Sequence, residues 1–355
     1  SGTPALDLLR KTTFLELCED ALVEIASCCD GIAAIVGLPI LTADGTISAA
    51  ALIQDRKVLR YIGKKYITAR REMGFLVPSK GYEYATIKGH KCAIIVGDDL
   101  SRERDFDQSV ETVISINARK YGKGTMTYRY EMMRNLAFVE SKNLVLVNQV
   151  GGSTDIVYDG TSGALNSRGE LVLMMKNFEE DFQIFDTKAS ARPITIPSTY
   201  NDRTRLVYEA ARCGLRDFFR KNGYRKASIG LSGGIDSAVV ASIAADALGA
   251  ENVRALLMPS PFSSLESVED AKELARNLGI EYNVIPISEI YTSVVNTLKP
   301  VIGGREFDAT EENIQTPIRT EMLMAVQNKA DYILLNSSNK SENALGLCTL
   351  YGDTA

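Results

Sequence analysis

The residues with the most specific chemistry form a short glycine-containing loop. Residues 231–237 read Leu-Ser-Gly-Gly-Ile-Asp-Ser and lie between a predicted strand and a predicted helix. A helix N-terminus offers free backbone N–H groups and a positive dipole end, and both favour a phosphate. Gly233 and Gly234 let the backbone approach the phosphate, Ser232 and Ser237 add hydroxyl donors, and Asp236 can reach a Mg²⁺ ion. The loop predicts a nucleotide phosphate site, although a Gly-Gly pair alone would suit an ordinary turn.

The elements around this loop follow a regular alternation. Helices are predicted at 204–222, 238–248 and 267–278, and strands at 226–231, 252–258 and 282–286. Strands that alternate with helices of ten or more residues are typical of a parallel, doubly wound sheet. The chain contains no GxxxxGK[ST] sequence, so the loop is not a Walker A motif.

The first half has a different pattern. A helix is predicted at 6–29, with an apolar stripe formed by Leu8, Leu9, Leu15, Leu17, Ala21, Leu22 and Ile25. Short apolar runs separated by turn residues predict strands at 32–38, 49–53, 58–61, 84–87, 93–96, 143–150, 156–158 and 170–175. We interpret residues 1–187 as a hairpin-rich α/β domain, 188–203 as a linker with two prolines, and 204–355 as the second domain.

Composition narrows the class of protein. A chain of 355 residues with 45% apolar content is long enough for two hydrophobic cores. Its net charge of −5 does not indicate the basic surface that a nucleic-acid-binding protein needs. The sequence has no run of eighteen apolar residues, so no membrane span is predicted. The first four residues do not resemble a native start, so we expect residues before Ser1. Six scattered cysteines without a CxxC pair indicate free thiols in a reducing, cytoplasmic compartment.

Residues downstream of the loop indicate a family. Ser-Gly-Gly-x-Asp-Ser in this setting resembles the pyrophosphate loop of the ATP pyrophosphatases, which cleave ATP to AMP and pyrophosphate. Three further segments, in the same order, resemble the NAD+ synthetases of that group. They comprise Met258-Pro259-Ser260 with Ser263, Ser264 and Ser267; Thr310–Gln315 with Arg319; and Asn339-Lys340-Ser341-Glu342 with Thr349–Asp353. This resemblance covers nearly all of residues 226–355.

The resemblance implies a reaction and roles for these residues. Nicotinic acid adenine dinucleotide would be adenylated by ATP with Mg²⁺, and ammonia would convert the acid to an amide. Candidates for ATP and pyrophosphate binding are Ser232, Gly233, Gly234, Asp236, Ser237 and Met258. Candidates for Mg²⁺ are Asp236, Glu312 and Glu342, and candidates for the dinucleotide are Asn313, Arg319, Lys340 and Asp353. By themselves, Glu311 and Glu312 also suit a solvated helix start. Lys340 also suits an ordinary surface position.

Some positions depart from the family pattern. Pro261 stands where many relatives have a basic or polar residue, which puts one phosphate contact in question. Ser337 and Ser338 stand where relatives often have Thr-Gly. The sequence stops at Ala355, before a glycine pair and a Lys-Thr segment that the family uses for ATP.

The first half resembles the nitrilase-like glutaminase domain of the glutamine-dependent NAD+ synthetases. The resemblance rests on Asn148–Gly152, Asp159–Ser162, Tyr121–Lys123, Arg129 and the segment from Gly2 to Leu8. It implies an α-β-β-α sandwich with a glutamate base, an oxyanion lysine and a cysteine nucleophile. The glutamate would lie upstream of Ser1. Lys64 fits the lysine spacing best, and Lys65 is second.

The nucleophile position of this half is occupied by a glycine. The predicted strand at 92–96 leads to Gly97, where the family has cysteine, and Cys92 lies five residues too early. We therefore predict the glutaminase fold with little or no cysteine-dependent glutaminase activity. His90, the only histidine, lies in a predicted hairpin and is not expected to be catalytic. Ammonia would then come from solution or from another protein.

Two other classes of protein are considered. A tRNA thiolase would need a basic surface or a cysteine pair, which the sequence lacks. A non-catalytic scaffold does not explain the intact loop at 232–237. The preferred interpretation is an ATP-dependent NAD+ synthetase that uses ammonia or glutamine. The resemblance also implies a homo-oligomer, without nucleic acid or membrane partners.

Overall fold

The computed structural model describes residues 5–188, 192–200, 202–303, 306 and 308–346. The chain divides into two compact units, residues 1–210 and 211–355. The division falls inside a helix rather than in the proposed linker at 188–203, whose exact limits remain a prediction. Among the described residues, no helix is long and apolar enough to cross a membrane.

Within its described residues, the first unit contains eleven strands, two α-helices and the start of a third. In chain order they are α1 (Thr12–Cys28), β1 (Ala33–Thr42), β2 (Gly45–Gln54), β3 (Lys57–Gly63), β4 (Glu83–Ile87), β5 (His90–Val96), β6 (Thr112–Asn117), α2 (Thr125–Glu140), β7 (Asn143–Asn148), β8 (Val150–Ser153), β9 (Ile156–Asp159), β10 (Gly163–Leu165), β11 (Leu171–Met174) and α3 (Arg203–Asn222). Short 3₁₀ helices occupy Leu6–Arg10, Gly97–Ser101 and Ser198–Tyr200.

Two sheets face each other in this unit. Strands β1, β2 and β3 form an antiparallel sheet, and a six-stranded sheet has the order β11-β10-β7-β6-β5-β4. Leu52 and Ile62 from the first sheet pack against Ile94 and Val96 from the second. Helix α1 covers the outer face of the small sheet, and α2 contacts β7 and β10 of the large sheet. This arrangement is the predicted α-β-β-α sandwich.

Helix α1 is shorter than predicted. Lys11 has an extended backbone and separates the 3₁₀ helix from α1, so the predicted helix at 6–29 is interrupted. Leu9, Leu15 and Leu22 of the predicted apolar stripe are buried as expected. Leu17 and Ile25 are exposed, because only one face of α1 packs on β1 and β2. Leu8, in the 3₁₀ helix, is exposed as well.

A buried ion pair joins α2 to the end of β9. Both oxygens of Asp159 accept from Nη2 of Arg129, at 2.9 and 3.0 Å, and both side chains are 1% exposed. Arg129 also donates to the carbonyl of Gly160, and Asn148 donates to Asp159. Burial raises the pKa of the Asp159 carboxyl, while Arg129 acts in the opposite direction. The contacts of Arg129 therefore hold α2 against the end of β9 and the glycine that follows it.

Removing Arg129 should destabilise this unit strongly. We expect Arg129→Met to lower the free energy of unfolding by about 3–5 kcal/mol, because it leaves the Asp159 carboxylate buried without its cation. The chain has no tryptophan, so urea unfolding is followed by circular dichroism. Arg168→Met is the matched control, since the Arg168–Glu170 pair is largely exposed and should contribute less than about 1 kcal/mol. Equal losses in the two variants would contradict the prediction.

The second unit is built on a parallel sheet. From α3 onward the elements are β12 (Ala227–Gly230), α4 (Ile235–Leu248), β13 (Val253–Leu257), α5 (Leu265–Leu278), β14 (Glu281–Val284), α6 (Ser288–Ile302), α7 (Ala309–Ala330), β15 (Ile333–Leu335) and α8 (Lys340–Leu345). A 3₁₀ helix lies at Ala250–Asn252. The strand order is β14-β13-β12-β15, and every pairing is parallel. The predicted doubly wound class is therefore confirmed.

The core of this unit lies between the sheet and two of its helices. Ile229, Ala255 and Leu257 of the sheet pack against Ala241 and Ala244 of α4, together with Ala271 and Ala275 of α5. These small residues allow the helices to lie close to the strands. A second cluster on the other face joins Met258 to Tyr291 of α6 and Ile318 of α7. Both faces of β12 and β13 are thus covered, as parallel sheets require.

Candidate active site

The chain reverses direction across the sheet at β12. From β12 it proceeds through α4 to β13 and through α5 to β14, and it then returns through α6 and α7 to β15 on the other side of β12. The carboxyl ends of β12 and β15 therefore border a crevice. In open α/β sheets, ligands bind in the crevice at such a switch point.

The glycine loop occupies this crevice. Residues 231–234 connect β12 to α4, and the N–H of Gly233 donates to Oγ of Ser267 at 3.2 Å. A Cβ added at Gly233 would lie 2.8 Å from Cα of Ser267, which belongs to the backbone of α5. Only glycine fits at position 233, because α5 passes so close to the loop. This contact gives Ser267 a structural role.

Two serine hydroxyls hold the shape of the loop. Oγ of Ser237 accepts from the N–H of Ser232 at 3.2 Å and donates toward the carbonyl of Gly234 at 3.1 Å. Oγ of Ser232 lies 3.1 Å from Oγ of Ser237 and accepts from the N–H of Gly234. Ser237 is buried, whereas the loop backbone at Gly233 and Gly234 is exposed. These hydrogen bonds thus hold the loop backbone in its conformation.

Four side chains with charged or amide groups lie beside the loop. Nδ2 of Asn339 donates to Oδ1 of Asp236 at 3.1 Å, and the N–H of Asn339 donates to Oε2 of Glu342 at 3.0 Å. Arg319 enters from α7, where its Nε donates to the carbonyl of Met258 at 3.1 Å. Asp236 and Glu342 are thus tied to one another through a single asparagine.

Asp236, Arg319 and Glu342 line a pocket of about 410 Å³. Its walls come from the ends of three parallel strands and from four helices. Its lining includes seven of the residues predicted for binding, namely Ser232, Gly234, Asp236, Ser237, Met258, Arg319 and Glu342. The pocket has a volume typical of small-molecule sites and combines carboxylates with a guanidinium.

Gly233 belongs to the loop but not to the pocket lining, and three more of the predicted residues are exposed outside it. Glu312 and Asn313 are exposed in the first turns of α7, outside the pocket lining, and Lys340 is exposed at the start of α8. Glu311 completes a capping box, since its side chain accepts from the N–H of Asp308, which agrees with the helix-start interpretation. Asp353 lies outside the described residues.

Sequence reasoning missed several lining residues. Thr316 and Thr320 of α7 face the pocket beside Arg319, and Asn336 follows β15. The positions 316, 319, 320 and 323 follow helical i, i+3, i+4 and i+7 spacing, which places them on one face. That spacing could have indicated the lining face of α7 once Arg319 had been assigned to the site.

The residues present fit a magnesium ion that is shared with phosphate. No group of three or more histidine, cysteine, aspartate or glutamate side chains in the described residues could hold a metal on its own. Mg²⁺ is usually held by one or two carboxylates together with substrate phosphates and water. Asp236 and Glu342 beside a phosphate-type loop supply that kind of donor set.

The first unit contains a second polar cluster. Lys64 follows β3 and is buried, and its Nζ donates to Oε2 of Glu72 at 3.0 Å. Gly97 follows β5 with a φ of +63°, and a Cβ built there would lie 3.6 Å from Nζ of Lys64. The carboxylate of Asp99 accepts from the N–H groups of Lys65 and Tyr66 and so ties this segment to the end of β5.

Lys64 rather than Lys65 is the lysine that faces position 97. Nζ of Lys65 points instead to Oε1 of Glu103 at 3.3 Å, and its side chain is partly exposed. The geometry therefore agrees with the order of the two candidates. The Cβ of a side chain at position 97 would lie next to the Lys64 ammonium, which is the place expected for the nucleophile of a glutaminase site.

Cys92 and His90 are remote from this cluster. Cys92 lies near the start of β5, paired with Ala85 on one side and Thr112 on the other. Five residues of extended strand separate it from Gly97, which corresponds to about 16 Å. Burial raises the pKa of the Cys92 thiol, so less of it is ionised near neutral pH. His90 begins β5 and lies 2.8 Å from Glu111 at the surface.

Known proteins share both halves of this arrangement. The family described as NAD synthase matches residues 207–355. The glutamine-dependent NAD(+) synthetase of Aquifex aeolicus is 35% identical over an alignment of 399 residues, which covers 100% of this chain and 70% of that protein. The corresponding protein of Synechocystis is also 35% identical and covers 99% of this chain and 68% of its own length.

Solved structures agree with the sequence comparison. A glutamine-dependent NAD+ synthetase from Acinetobacter baumannii, in complex with adenosine diphosphate, superposes with a TM-score of 0.88 at 33% identity. The match covers 99% of this chain and 69% of that one. The Cytophaga hutchinsonii synthetase has a TM-score of 0.84 at 20% identity and shows the same fold.

The parallel-sheet unit with its glycine loop and the α-β-β-α unit define a two-domain carbon–nitrogen ligase. The chain belongs to the family of glutamine-dependent NAD+ synthetases. It spans about 70% of the length of the Aquifex relative. The family, the fold class and the enzyme class predicted from the sequence are confirmed.

Proposed function

We propose that the second unit adenylates nicotinic acid adenine dinucleotide and then amidates it with ammonia. The carboxylate oxygen of the nicotinate group attacks the α-phosphorus of ATP, and pyrophosphate leaves. Ammonia then attacks the carbonyl carbon of the mixed anhydride, AMP leaves with the bond electrons, and a proton is lost from nitrogen. The observation that carries this proposal is the phosphate-type loop that shares one pocket with Asp236, Glu342 and Arg319.

The loop and the pocket residues would bind different parts of the substrates. The exposed backbone of Gly233 and Gly234 and the N-terminus of α4 would bind the ATP phosphates. Asp236 and Glu342 would hold Mg²⁺, which supplies charge neutralisation on the phosphates when it is bound. Arg319, anchored at Met258, would attract the anionic dinucleotide. Asn313, Lys340, Glu312 and Asp353 remain proposals that rest on the family resemblance alone.

The proposal is tested by the products of the reaction. With ATP, Mg²⁺, ammonium and nicotinic acid adenine dinucleotide, we expect NAD+, AMP and pyrophosphate in equal amounts. Chromatographic separation of the nucleotides measures NAD+ and AMP, and release of phosphate by added inorganic pyrophosphatase measures pyrophosphate. ADP and phosphate in place of AMP and pyrophosphate would contradict cleavage between the α and β phosphates. Absence of NAD+ would contradict the proposed function as a whole.

We further propose that the first unit of this chain does not produce ammonia from glutamine. Its support is Gly97, which occupies the position beside Lys64 where a nucleophile would stand. Ammonia would reach the second unit from solution or from another protein. The chain is proposed to act in the cytoplasm as a homo-oligomer, and light scattering of the purified protein measures the number of subunits.

A further inference from the structure

Asn339 makes an unusual set of contacts at the start of α8. Its Oδ1 accepts from the N–H groups of Ser341 and Glu342, at 2.8 and 2.9 Å, and so caps the helix. Its backbone N–H donates to Oε2 of Glu342, which completes a capping box. Its Nδ2 donates to Oδ1 of Asp236, which lies 103 residues earlier, in the first turn of α4. One side chain therefore joins the helix cap to the carboxylate beside the phosphate-type loop.

The cap determines which way the amide points. An asparagine amide has one acceptor oxygen and one donor nitrogen. Because both backbone N–H groups of α8 need the oxygen, the nitrogen must face Asp236. The Asp236 carboxylate is then held at Oδ1, while Oδ2 has no hydrogen-bond partner among the described residues. The capping box constrains Glu342 in the same way through one of its two oxygens.

A neutral donor suits this position better than a charged one. A lysine or arginine there would compete with a cation for the carboxylate, whereas an amide holds one oxygen and adds no charge. Partners that orient metal-binding side chains typically change metal affinity by about 10–100-fold when they are replaced. Asn339 has this relation to the two carboxylates of the pocket.

We propose that Asn339 is a positioning residue that orients Asp236 and Glu342 together toward magnesium-bound ATP. This inference rests on the proposed function, since it assigns a role to the same pocket. The helix cap and the amide donor are separable. Serine caps a helix about as well as asparagine does but cannot reach Asp236 with an amide, whereas alanine loses both functions.

The test measures Mg²⁺-dependent ATP binding to the full chain by calorimetry, without turnover. We expect Asn339→Ser to raise the Mg²⁺ concentration needed for half-maximal ATP binding by about 10–100-fold, with little change in Tm. Asn339→Ala should show the same shift in Mg²⁺ requirement together with a lower Tm. The matched control is Asp308→Ser, which preserves the cap of the other capping box, on α7.

The outcomes separate this inference from the proposed function. If Asn339→Ser shifts the Mg²⁺ requirement no more than Asp308→Ser does, Asn339 is only a helix cap and the inference is overturned while the proposed function stands. A shift that appears only in Asn339→Ala, together with the loss of Tm, would also overturn it. If the unaltered chain shows no Mg²⁺-dependent ATP binding, the proposed function and this inference both fail.

Discussion

With glutamine in place of ammonium, NAD+ formation by this chain should be slower by about 10⁴-fold or more, which is the usual effect of losing a catalytic nucleophile. Position 97 is a glycine, and a Cβ built there would lie 3.6 Å from Nζ of Lys64. The lysine is present, but position 97 offers no side chain that could attack an amide. Initial rates with saturating ammonium, and with glutamine freed of ammonium, measure the difference.

Cys92 should not compensate for the glycine. It lies near the opposite end of β5, about 16 Å from Gly97, and its buried thiol has a raised pKa. We expect Cys92→Ala to leave the rates with both nitrogen donors unchanged. If glutamine instead supported rapid NAD+ formation, and Cys92→Ala abolished it, our assignment of the nucleophile position would be wrong.

A cysteine introduced at position 97 tests the geometry of this cluster directly. The thiol of Gly97→Cys would begin next to Nζ of Lys64, and a neighbouring ammonium lowers a thiol pKa, although Glu72 partly offsets that charge. We expect alkylation by iodoacetamide at pH 7 to be about tenfold faster than for an ordinary exposed thiol. Adding Lys64→Met should remove the increase.

The stability of Gly97→Cys also needs a control. A φ of +63° is unfavourable for residues other than glycine, by roughly 1–2 kcal/mol, so the variant should be slightly less stable. Gly97→Ser has the same backbone conflict without a reactive thiol. If Gly97→Cys were no more reactive with Lys64 present than absent, the lysine would not face position 97 in solution.

The second large effect concerns the phosphate-type loop. Gly233→Ala should reduce NAD+ formation from ammonium by about 100-fold or more, because a displacement of about 1 Å in a binding group can have that effect. The added methyl group would lie 2.8 Å from Cα and 2.9 Å from the carbonyl oxygen of Ser267, so either the loop or α5 must move. The hydrogen bond from Gly233 to Ser267 would be lost with that movement.

Two other glycine substitutions calibrate this result. Gly234→Ala brings its methyl group within 3.2 Å of Oγ of Ser232, a side chain that can adjust, so the loss of rate should be smaller. Gly74→Ala meets no atom within 4 Å and should leave the rate unchanged. An equal rate for Gly233→Ala and Gly74→Ala would show that the close approach of α5 to the loop is not required.

Parts of the fold could be predicted because they depend on neighbouring residues. The strand, loop and helix around residues 231–237 follow from local glycine, serine and apolar patterning, and β12 and α4 lie where that pattern indicates. The hairpin of β4 and β5 is present at the predicted position, with positive φ at Lys88 and Gly89. Both features have their cause within a few residues.

Other elements were missed because their pattern depends on distant partners. Helix α2 has no clean apolar stripe, since its buried face includes Arg129, whose charge is balanced by Asp159 thirty residues later. Strands β6, β10 and β15 are short or flanked by loops, and they exist because neighbouring strands complete their hydrogen bonds. The helix predicted at 6–29 is too long, because Lys11 has an extended backbone and α1 begins only after it.

The sequence by itself determined the family, the two-domain class and the place of the glycine loop between a strand and a helix, because those depend on ordered motifs whose residues lie close together along the chain. Only the tertiary structure decided which residues meet. It placed Asn339 against Asp236, brought Lys64 beside Gly97, and left Glu312 and Lys340 exposed outside the pocket lining. Those outcomes depend on strand order and on the packing of α5, α7 and α8, which local patterns do not encode. The position of β15 next to β12 is the clearest case, since it turns residues a hundred positions apart into neighbours.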